Sequence, residues 1–407
     1  MKSDYLKIWT GNAASNLSDG LTFVAMPLIA AALTEDPLAV SGLTVAYTVP
    51  RIAAVLGIGV LIDRIDRRRL LYVANILRSA AFLALAVSLG AGIVSIPVLY
   101  LVYAVVGLIE TTSDSAVFAV LPTALSKERL DRANSQIAGA QLVIDEFVGP
   151  PLGGFLFAAA AFLPVGASAF ACAIAALCFF LLEGTYQGRP VGAEPTSIRS
   201  DLRTGFTWLR GNRIVAGLVV VSGIASIAYS LPFSYLVLFA DRALGLDSTG
   251  YGLLMSFSAL GGLLGTFLAP RLRKKVGYAP GIVAALALGA VSITLCGLTS
   301  NVGVAGLALA AYICHAVVWN VLAGTVRQKI VPPDLLGRTG AVGRLAGYLG
   351  IALGAGVGGW LASEVGLRVP FVLSGALFVV CAMLAVQLTP AIRAWQAHED
   401  EPSAIAS

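Results

Sequence analysis

Charged side chains are scarce in this chain of 407 residues, and histidine is almost absent. Asp, Glu, Lys and Arg together make up 12% of the sequence, and there are two histidines. Soluble domains carry about 25% charged residues, because their surfaces must be solvated. Hydrophobic residues make up 58% of this chain, and its mean hydropathy is +0.87. The composition excludes an ordinary soluble protein and predicts that most of the chain lies in lipid.

The sequence also lacks the motifs of common catalytic and metal sites. Its five cysteines fall in apolar stretches without the spacing of metal ligands, so we interpret them as small buried hydrophobes. Neither a G-x-x-x-x-G-K-S/T phosphate-binding loop nor a G-x-S-x-G nucleophile turn occurs, which argues against an ATP-driven pump and a serine hydrolase. We therefore expect no enzyme activity, no metal site and no cofactor.

Long apolar runs, in contrast, recur throughout the chain. A run of about 20 residues crosses about 30 Å of hydrocarbon as a helix, and about twelve such runs are present. They predict an all-α integral membrane protein. The expected spans are 8–33, 40–62, 70–90, 96–120, 134–158, 163–183, 213–240, 249–271, 277–299, 302–326, 337–362 and 368–389.

The second half of the chain repeats features of the first half. The stretch from Gly59 to Arg68 recurs 206 residues later as Gly265 to Lys274, and Leu130-Asp131-Arg132 recurs as Leu336-Gly337-Arg338 at the same offset. The spans therefore predict two parallel six-helix repeats, an arrangement typical of secondary transporters.

The positions of the cations predict an orientation. With the N-terminus in the cytoplasm, all but three of the 27 Lys and Arg residues lie on the cytoplasmic side or within snorkelling reach of it. The exceptions are Arg51, Arg242 and Arg368. Both termini are then cytoplasmic, and the net charge of +5 reflects topology, so we expect no nucleic-acid partner.

The longest polar interval separates the two repeats and sets the expected domains. These are an N-terminal bundle (1–183), a cytoplasmic linker (184–212), a C-terminal bundle (213–389) and a cytoplasmic tail (390–407). In the linker, apolar residues at near-helical spacing alternate with arginines: Ile198, Leu202, Phe206 and Leu209 beside Arg199, Arg203 and Arg210. This pattern is typical of a helix on an anionic membrane surface, and a simple tether is an equal alternative.

The loop after the second span carries a specific motif. Gly59-x-Leu61-x-Asp63-Arg64-x-x-Arg67-Arg68 resembles the signature loop of the major facilitator superfamily, and the resemblance in topology covers nearly the whole chain. We interpret this loop as a gating motif, because Gly59 permits close helix contact and Asp63 can pair with arginines or a helix N-terminus. The alternative, favoured for Arg67, Arg68 and Arg69, is that these charges only set the topology.

Two further stretches resemble a branch of that superfamily, the bacterial drug:proton antiporters that include macrolide-efflux and siderophore-export proteins. They are Ser15-Asn16-Leu17-Ser18-Asp19 in the first span and the charged run from Asp63 to Arg69. The resemblance implies export of a small molecule in exchange for protons.

The fifth span resembles the antiporter motif of the family at its end. Gly149-Pro150-Pro151-Leu152-Gly153-Gly154 matches the GPxxGG pattern, although Asp145 stands where the motif has glycine. Pro150 cannot donate to the carbonyl of Glu146, so we expect a bent or locally polar helix. The alternative is a packing kink at which small residues let two helices approach.

Ionisable residues lie deep inside the expected spans of the first half. Counting from the cytoplasmic ends, Asp19, Arg51, Glu110, Asp145 and Glu146 lie about 15–18 Å deep, and Asp114 lies one turn nearer to water. A charge at this depth costs at least about 2.5–3.5 kcal/mol, so each group should face a polar cavity, be paired or be protonated. With Arg51 as the one cation, we expect one paired acid and at least one acid that binds and releases a proton.

We rank the acids as proton carriers in the order Asp19 and Glu110, then Asp145 and Glu146, and last Asp114. Arg51 is expected to act as counter-ion or as anchor for an anionic substrate. Competition between protons and substrate for these groups would produce antiport. The alternative is a static ion-pair network or a water-filled vestibule.

The second half lacks these charges. At the positions that repeat Arg51, Glu110, Asp114, Asp145 and Glu146 stand Phe257, Ala316, Asn320, Ile351 and Ala352. We therefore assign proton handling to the first half and a substrate surface to the second. Candidate cavity residues are His315, Trp319 and Asn320, although packing is the favoured interpretation for the histidine. A glycine row, Gly343, Gly347, Gly350, Gly354 and Gly358, predicts close helix contact.

These observations predict a secondary active transporter of the bacterial inner membrane, working by alternating access. It would use the proton gradient, without a cofactor, to export a hydrophobic or amphipathic small molecule such as a drug or siderophore. The expected partners are that substrate and the lipid bilayer, and we expect a monomer. Alternatives are a proton symporter, a lysophospholipid transporter on the same scaffold and, from another class, a non-transporting membrane sensor or scaffold.

Overall fold

A computed structural model describes residues 2–64, 66–124, 127–183, 186, 198–333 and 335–404. Within these ranges all regular structure is helical. The α-helices are α1 (Lys2–Leu33), α2 (Pro37–Arg64), α3 (Arg67–Gly90), α4 (Ile96–Ala124), α5 (Lys127–Gln141), α6 (Gly149–Ala159), α7 (Phe162–Phe180), α8 (Ile198–Gly211), α9 (Arg213–Phe233), α10 (Leu236–Leu244), α11 (Ser248–Val276), α12 (Tyr278–Leu298), α13 (Val302–Ile330), α14 (Leu336–Glu364) and α15 (Val369–Ala404). A π-helical turn, Leu142–Val148, joins α5 to α6.

Each of the twelve expected spans coincides with helical structure. Among the described residues, eleven helices are long and apolar enough to cross a membrane. The fourth span lies in α4, whose apolar described part is the shorter stretch Ile96–Thr111. The helices are long because lipid offers no partner to backbone N–H and C=O groups, which must therefore bond within the helix.

The fifth span is interrupted where the sequence predicts a bend. The amide of Gly149 donates to the carbonyl of Ile144, five residues back, as in a π-helix. Pro151 has no N–H for the carbonyl of Phe147, and the hydroxyl of Ser256 donates to that carbonyl instead, at 3.2 Å. The expected irregularity is therefore present, and a side chain from α11 satisfies a carbonyl that it frees.

The seventh span is also broken, which the continuous prediction for 213–240 missed. Pro232 lies near the end of α9, and α10 begins at Leu236. The hydroxyl of Ser374 donates to the carbonyl of Ala228, four residues before the proline, at 2.6 Å. The broken backbone is thus compensated by a buried hydroxyl, as lipid-embedded proline kinks require.

The chain forms two compact units. The first comprises Met1–Ile198 with Ser234–Ser256, and the second comprises Arg199–Phe233 with Phe257–Ser407. In the first unit α1 packs on α6 and α7, and α3 packs on α4 and α7. In the second unit α9 packs on α14 and α15, and α12 packs on α13 and α15. The expected domain boundaries at 183, 212 and 389 stay a prediction.

The linker helix packs on the second unit. Residues 184, 185 and 187–197 of the expected linker lie outside the described residues, and α8 begins at Ile198. Leu209 is buried with Val215 and Val331. A Cβ on Gly205 would lie under 3.0 Å from the backbone of α14, so the two helices are in close contact there. Placement of α8 on a membrane surface stays a prediction.

Candidate functional site

A largely buried ion pair joins α1 to α3 within the first unit. The guanidinium of Arg78 contacts the carboxylate of Asp19 and donates to the hydroxyl of Ser15 at 2.8 Å. The Arg78 side chain is 1% exposed and that of Asp19 is 19% exposed. A guanidinium this deep needs a negative partner, because an isolated buried charge is far costlier than a paired one.

Arg78 is absent from the residues predicted for this site. The orientation derived from the cations places Arg78 within snorkelling reach of the cytoplasmic side, and Arg51 is the one cation expected among the acids. Arg78 is the twelfth residue of α3, about 16 Å along the helix, too deep for its side chain to reach water. The same depth count that singled out Asp19 would have found it.

A second ion pair joins α2 to α4. Arg51 lies 3.7 Å from the carboxylate of Glu110, and the hydroxyl of Tyr47 donates to the same oxygen at 2.6 Å. The Arg51 Nε also donates to Thr111 at 3.1 Å, and its guanidinium lies 4.6 Å from the centre of the Tyr47 ring. Glu110 is therefore held by a cation and a hydroxyl, and Arg51 is fixed on three sides.

The remaining predicted acids are placed as follows. Asp145 lies half-buried in the π-helical turn, and a Cβ on Gly20, next to Asp19, would lie 2.6 Å from its carbonyl oxygen. Asp145 is thus beside the Asp19 segment of α1. Glu146 is in the same turn and Asp114 is in α4, and their side chains lie outside the described residues.

The glycines of the GPPLGG segment make close helix contacts. A Cβ on Gly149 would lie 2.5 Å from the Cα of Gly20, and one on Gly153 would lie 2.7 Å from the carbonyl oxygen of Leu21. Gly154 approaches the backbone of α11 equally closely. The segment therefore packs α6 against α1 on one side and against α11 on the other.

The signature loop is described only in part. Gly59, Asp63 and Arg64 lie in α2, and nothing beyond this helical placement is described for them. The amide of Arg67 donates to the carbonyl of Tyr186 at 3.2 Å. Arg68 donates to the carbonyl of Phe180 at the end of α7 and lies over its ring. The start of α3 is thereby tied to α7.

The second unit holds aromatic rings and a small cavity. His315 is buried between Tyr312 and Phe378, with ring centres 4.5 and 4.9 Å away, and does not line the cavity. Trp319 and Asn320 line a cavity of about 80 Å³. The structure therefore separates His315 from the two neighbours with which the sequence grouped it.

The glycine row of α14 packs on α9. A Cβ on Gly350, Gly354 or Gly358 would lie under 3.0 Å from the backbone of α9. This close contact confirms the packing prediction for these three glycines. Gly347 has only the Ser226 hydroxyl nearby, at 3.6 Å, and Gly343 lines the cavity.

Comparison with known proteins agrees with this architecture. The sequence model described as Major Facilitator Superfamily matches residues 8–324 and, in a second match, residues 218–405. The chain belongs to the major facilitator superfamily. Its predicted fold class and its identification as a transporter of this superfamily are confirmed by that match.

Relatives within the superfamily include two exporters. The multidrug efflux pump Tap of Mycolicibacterium fortuitum is 27% identical over 91% of this chain and 92% of its own length. The enterobactin exporter EntS of Escherichia coli is 27% identical over 85% of this chain and 82% of its own length. The chain is thus homologous to drug and siderophore exporters of the superfamily.

Solved structures of superfamily members share the fold. The nucleoside transporter NupG has a TM-score of 0.79 at 12% identity and matches 95% of this chain and 99% of its own. A bacterial homologue of the iron transporter ferroportin has a TM-score of 0.77 at 16% identity, covering 95% and 98% of the two chains. At such low identity these similarities concern the fold alone.

Proposed function

We propose that this protein is a proton-coupled exporter that moves a hydrophobic or amphipathic small molecule, such as a drug or siderophore, out of a bacterial cell. Its similarity to Tap and EntS along most of their lengths supports export. In this proposal the two repeats alternate access to a substrate site in the inner membrane, and both termini are cytoplasmic. The proton gradient supplies the energy, without a cofactor, and the protein works as a monomer in the lipid bilayer.

The Asp19–Arg78 ion pair carries the proposal of proton coupling. A proton bound to Asp19 would cancel the negative charge that compensates the fully buried Arg78. Removing one partner of a buried ion pair costs about 3–5 kcal/mol. Proton binding would therefore disfavour the contact between α1 and α3 in this conformation, and Asp19 is our first choice as proton carrier.

Glu110 is our second choice as proton carrier, because its contacts differ from those of Asp19. Arg51 and the hydroxyl of Tyr47 both stabilise its charged form. Arg78 also interacts electrostatically with Glu110, so a charge change at Asp19 would reach the Arg51–Glu110 pair. We propose that this second pair responds to protonation of Asp19, and that Asp145, Glu146 and Asp114 contribute less.

Proton movement in inside-out vesicles tests this function. Vesicles with an acidic lumen receive a panel of drugs and siderophores, and a fluorescent dye reports luminal pH. We expect compound-evoked proton release from wild type and from the control Glu35→Gln, which changes an exposed loop acid. We expect none from Asp19→Asn, which keeps the shape of the side chain without its charge.

Three other results of the vesicle experiment would contradict specific parts of the proposed function. An equal response from Asp19→Asn contradicts the role of Asp19 and leaves exchange in place. Proton movement into the lumen together with the added compound indicates symport. If no compound evokes proton movement in wild type, proton-coupled export of these compound classes is rejected.

A further inference from the structure

The cavity of the second unit has one strongly polar wall. It is bounded by α9, α13 and α14, and its polar lining consists of Ser222, Trp319, Asn320 and Arg327. A cavity needs about 10–15 Å³ to hold one water molecule. At about 80 Å³ it has room for several waters or for one small charged group, but not for a whole drug-sized molecule.

The sequence of α13 creates this wall. Asn320, Ala323, Gly324 and Arg327 lie three, four and seven residues apart, so they share one face of the helix. The small residues in the middle leave open space between the amide and the guanidinium. A Cβ on Gly343 would lie 3.6 Å from the Arg327 Nη1, which shows that the guanidinium extends to α14.

The charge environment favours an anion. Within the part of the chain that the structure describes, no carboxylate lies within salt-bridge distance of Arg327. Arg51 and Arg78 of the first unit, in contrast, each contact an acid. A half-buried guanidinium carries several fixed N–H donors, which match the two oxygens of a carboxylate.

We infer that Arg327 and Asn320 form a subsite for the acidic group of an amphipathic substrate, with Trp319 beside the apolar part of that molecule. The inference rests on the proposed function and narrows its substrate class to compounds that carry a carboxylate or a similar anionic group. Leu218 and Val219 of α9 are apolar lining residues of the same cavity. The second unit then binds the anionic group of the substrate, while the first unit contains the two ion pairs.

Binding of two fluorescent dyes to the purified full-length protein tests the inference. Fluorescein and rhodamine 123 share a three-ring aromatic core, but fluorescein is anionic and rhodamine 123 is cationic. We expect wild type to prefer fluorescein, and Arg327→Gln to weaken fluorescein binding about tenfold or more without changing rhodamine 123 binding. Arg327→Lys should lose less, because it keeps the charge but not the fork of donors.

Arg344→Gln is the matched control, since Arg344 is an exposed arginine of α14 outside the cavity lining. It should leave the affinity for both dyes unchanged. The inference is overturned if wild type shows no preference for fluorescein, if Arg327→Gln binds fluorescein like wild type, or if it loses both dyes equally. Because binding needs no proton gradient, charge-selective binding without compound-evoked proton movement would reject the proposed export and keep the subsite.

Discussion

Two ion pairs lie inside the first unit, whereas the interior of the second unit holds a group of packed aromatic rings and a half-buried arginine, Arg327. Asp19, Arg51, Arg78 and Glu110 belong to the first unit. In the second, Ala316 stands at the position that repeats Glu110, and Tyr229, Phe233, Tyr312 and Phe378 pack around its core. One duplicated scaffold can therefore carry paired charges in one copy and apolar residues at the repeat-related positions of the other.

The largest predicted loss of stability is for removal of the Asp19 carboxylate from the first unit. Asp19→Ala leaves the buried guanidinium of Arg78 without its carboxylate, which should cost about 3–5 kcal/mol. Thermal unfolding in detergent should show a larger loss of Tm for this variant than for substitution of a packed glycine or a buried serine. Asp19→Ala combined with Arg78→Leu should recover part of the loss, because the unpaired charge is then removed as well.

The matched control for that measurement is Glu35→Ala. Glu35 pairs with Arg242 at 3.5 Å, but its side chain is 95% exposed, so water already screens the pair. Its Tm should stay close to that of wild type. A Tm for Asp19→Ala as high as that of Glu35→Ala would contradict a buried, stabilising contact between α1 and α3.

Replacing closely packed glycines with alanine should lower the stability of both units to a similar extent. Gly149→Ala in the first unit and Gly354→Ala in the second both place a Cβ under 3.0 Å from a neighbouring backbone. Overpacking of this kind costs about 1–3 kcal/mol, which unfolding in detergent can detect. Gly356→Ala is the control, because a Cβ there meets nothing within 4 Å. A loss in only one unit would show that the two repeats differ in helix packing as well as in charge.

Two serine hydroxyls donate to backbone carbonyls that prolines leave without an N–H partner, and removing either hydroxyl should cause a smaller loss of stability. Ser374→Ala in the second unit removes a buried hydrogen bond of 2.6 Å, and Ser256→Ala in the first removes a partly buried one of 3.2 Å. We expect Ser374→Ala to cost about 1 kcal/mol and Ser256→Ala to cost less. The free energies of unfolding of the two variants check the order, and the reverse order would contradict the difference in burial.

The smallest effect, on the pH dependence of proton movement, is expected for substitution of His315. His315→Phe keeps a ring between Tyr312 and Phe378, and the histidine does not line the cavity. The pH profile of compound-evoked proton movement should therefore match that of wild type, in contrast to Asp19→Asn. A shifted profile would place part of the proton pathway in the second unit.

The sequence predicted the helices well, because hydrophobic length is a direct consequence of bilayer thickness. The prolines also indicated where the fifth span departs from an α-helix. The break after Pro232 was missed, because it depends on hydroxyls from distant helices, such as that of Ser374. Spacing along the chain does not predict such partners.

The candidate site was predicted less completely. Asp19, Arg51 and Glu110, which were selected by their expected depth along a helix, have largely buried side chains, and the same count applied to Arg78 would have completed the set. The partner of each acid could not be predicted, because pairing depends on how four helices rotate about their axes. Arg327 was overlooked, since an arginine near a helix end is normally explained by topology alone.

The burial of Arg78 also has a consequence for how the protein is made. An arginine at the centre of a helix costs about 2.5–3.5 kcal/mol during insertion into the membrane. α3 emerges from the ribosome after α1, which already carries Asp19. The two helices should therefore integrate into the bilayer most readily when they leave the translocon together, because pairing with Asp19 lowers the cost of placing Arg78 in lipid.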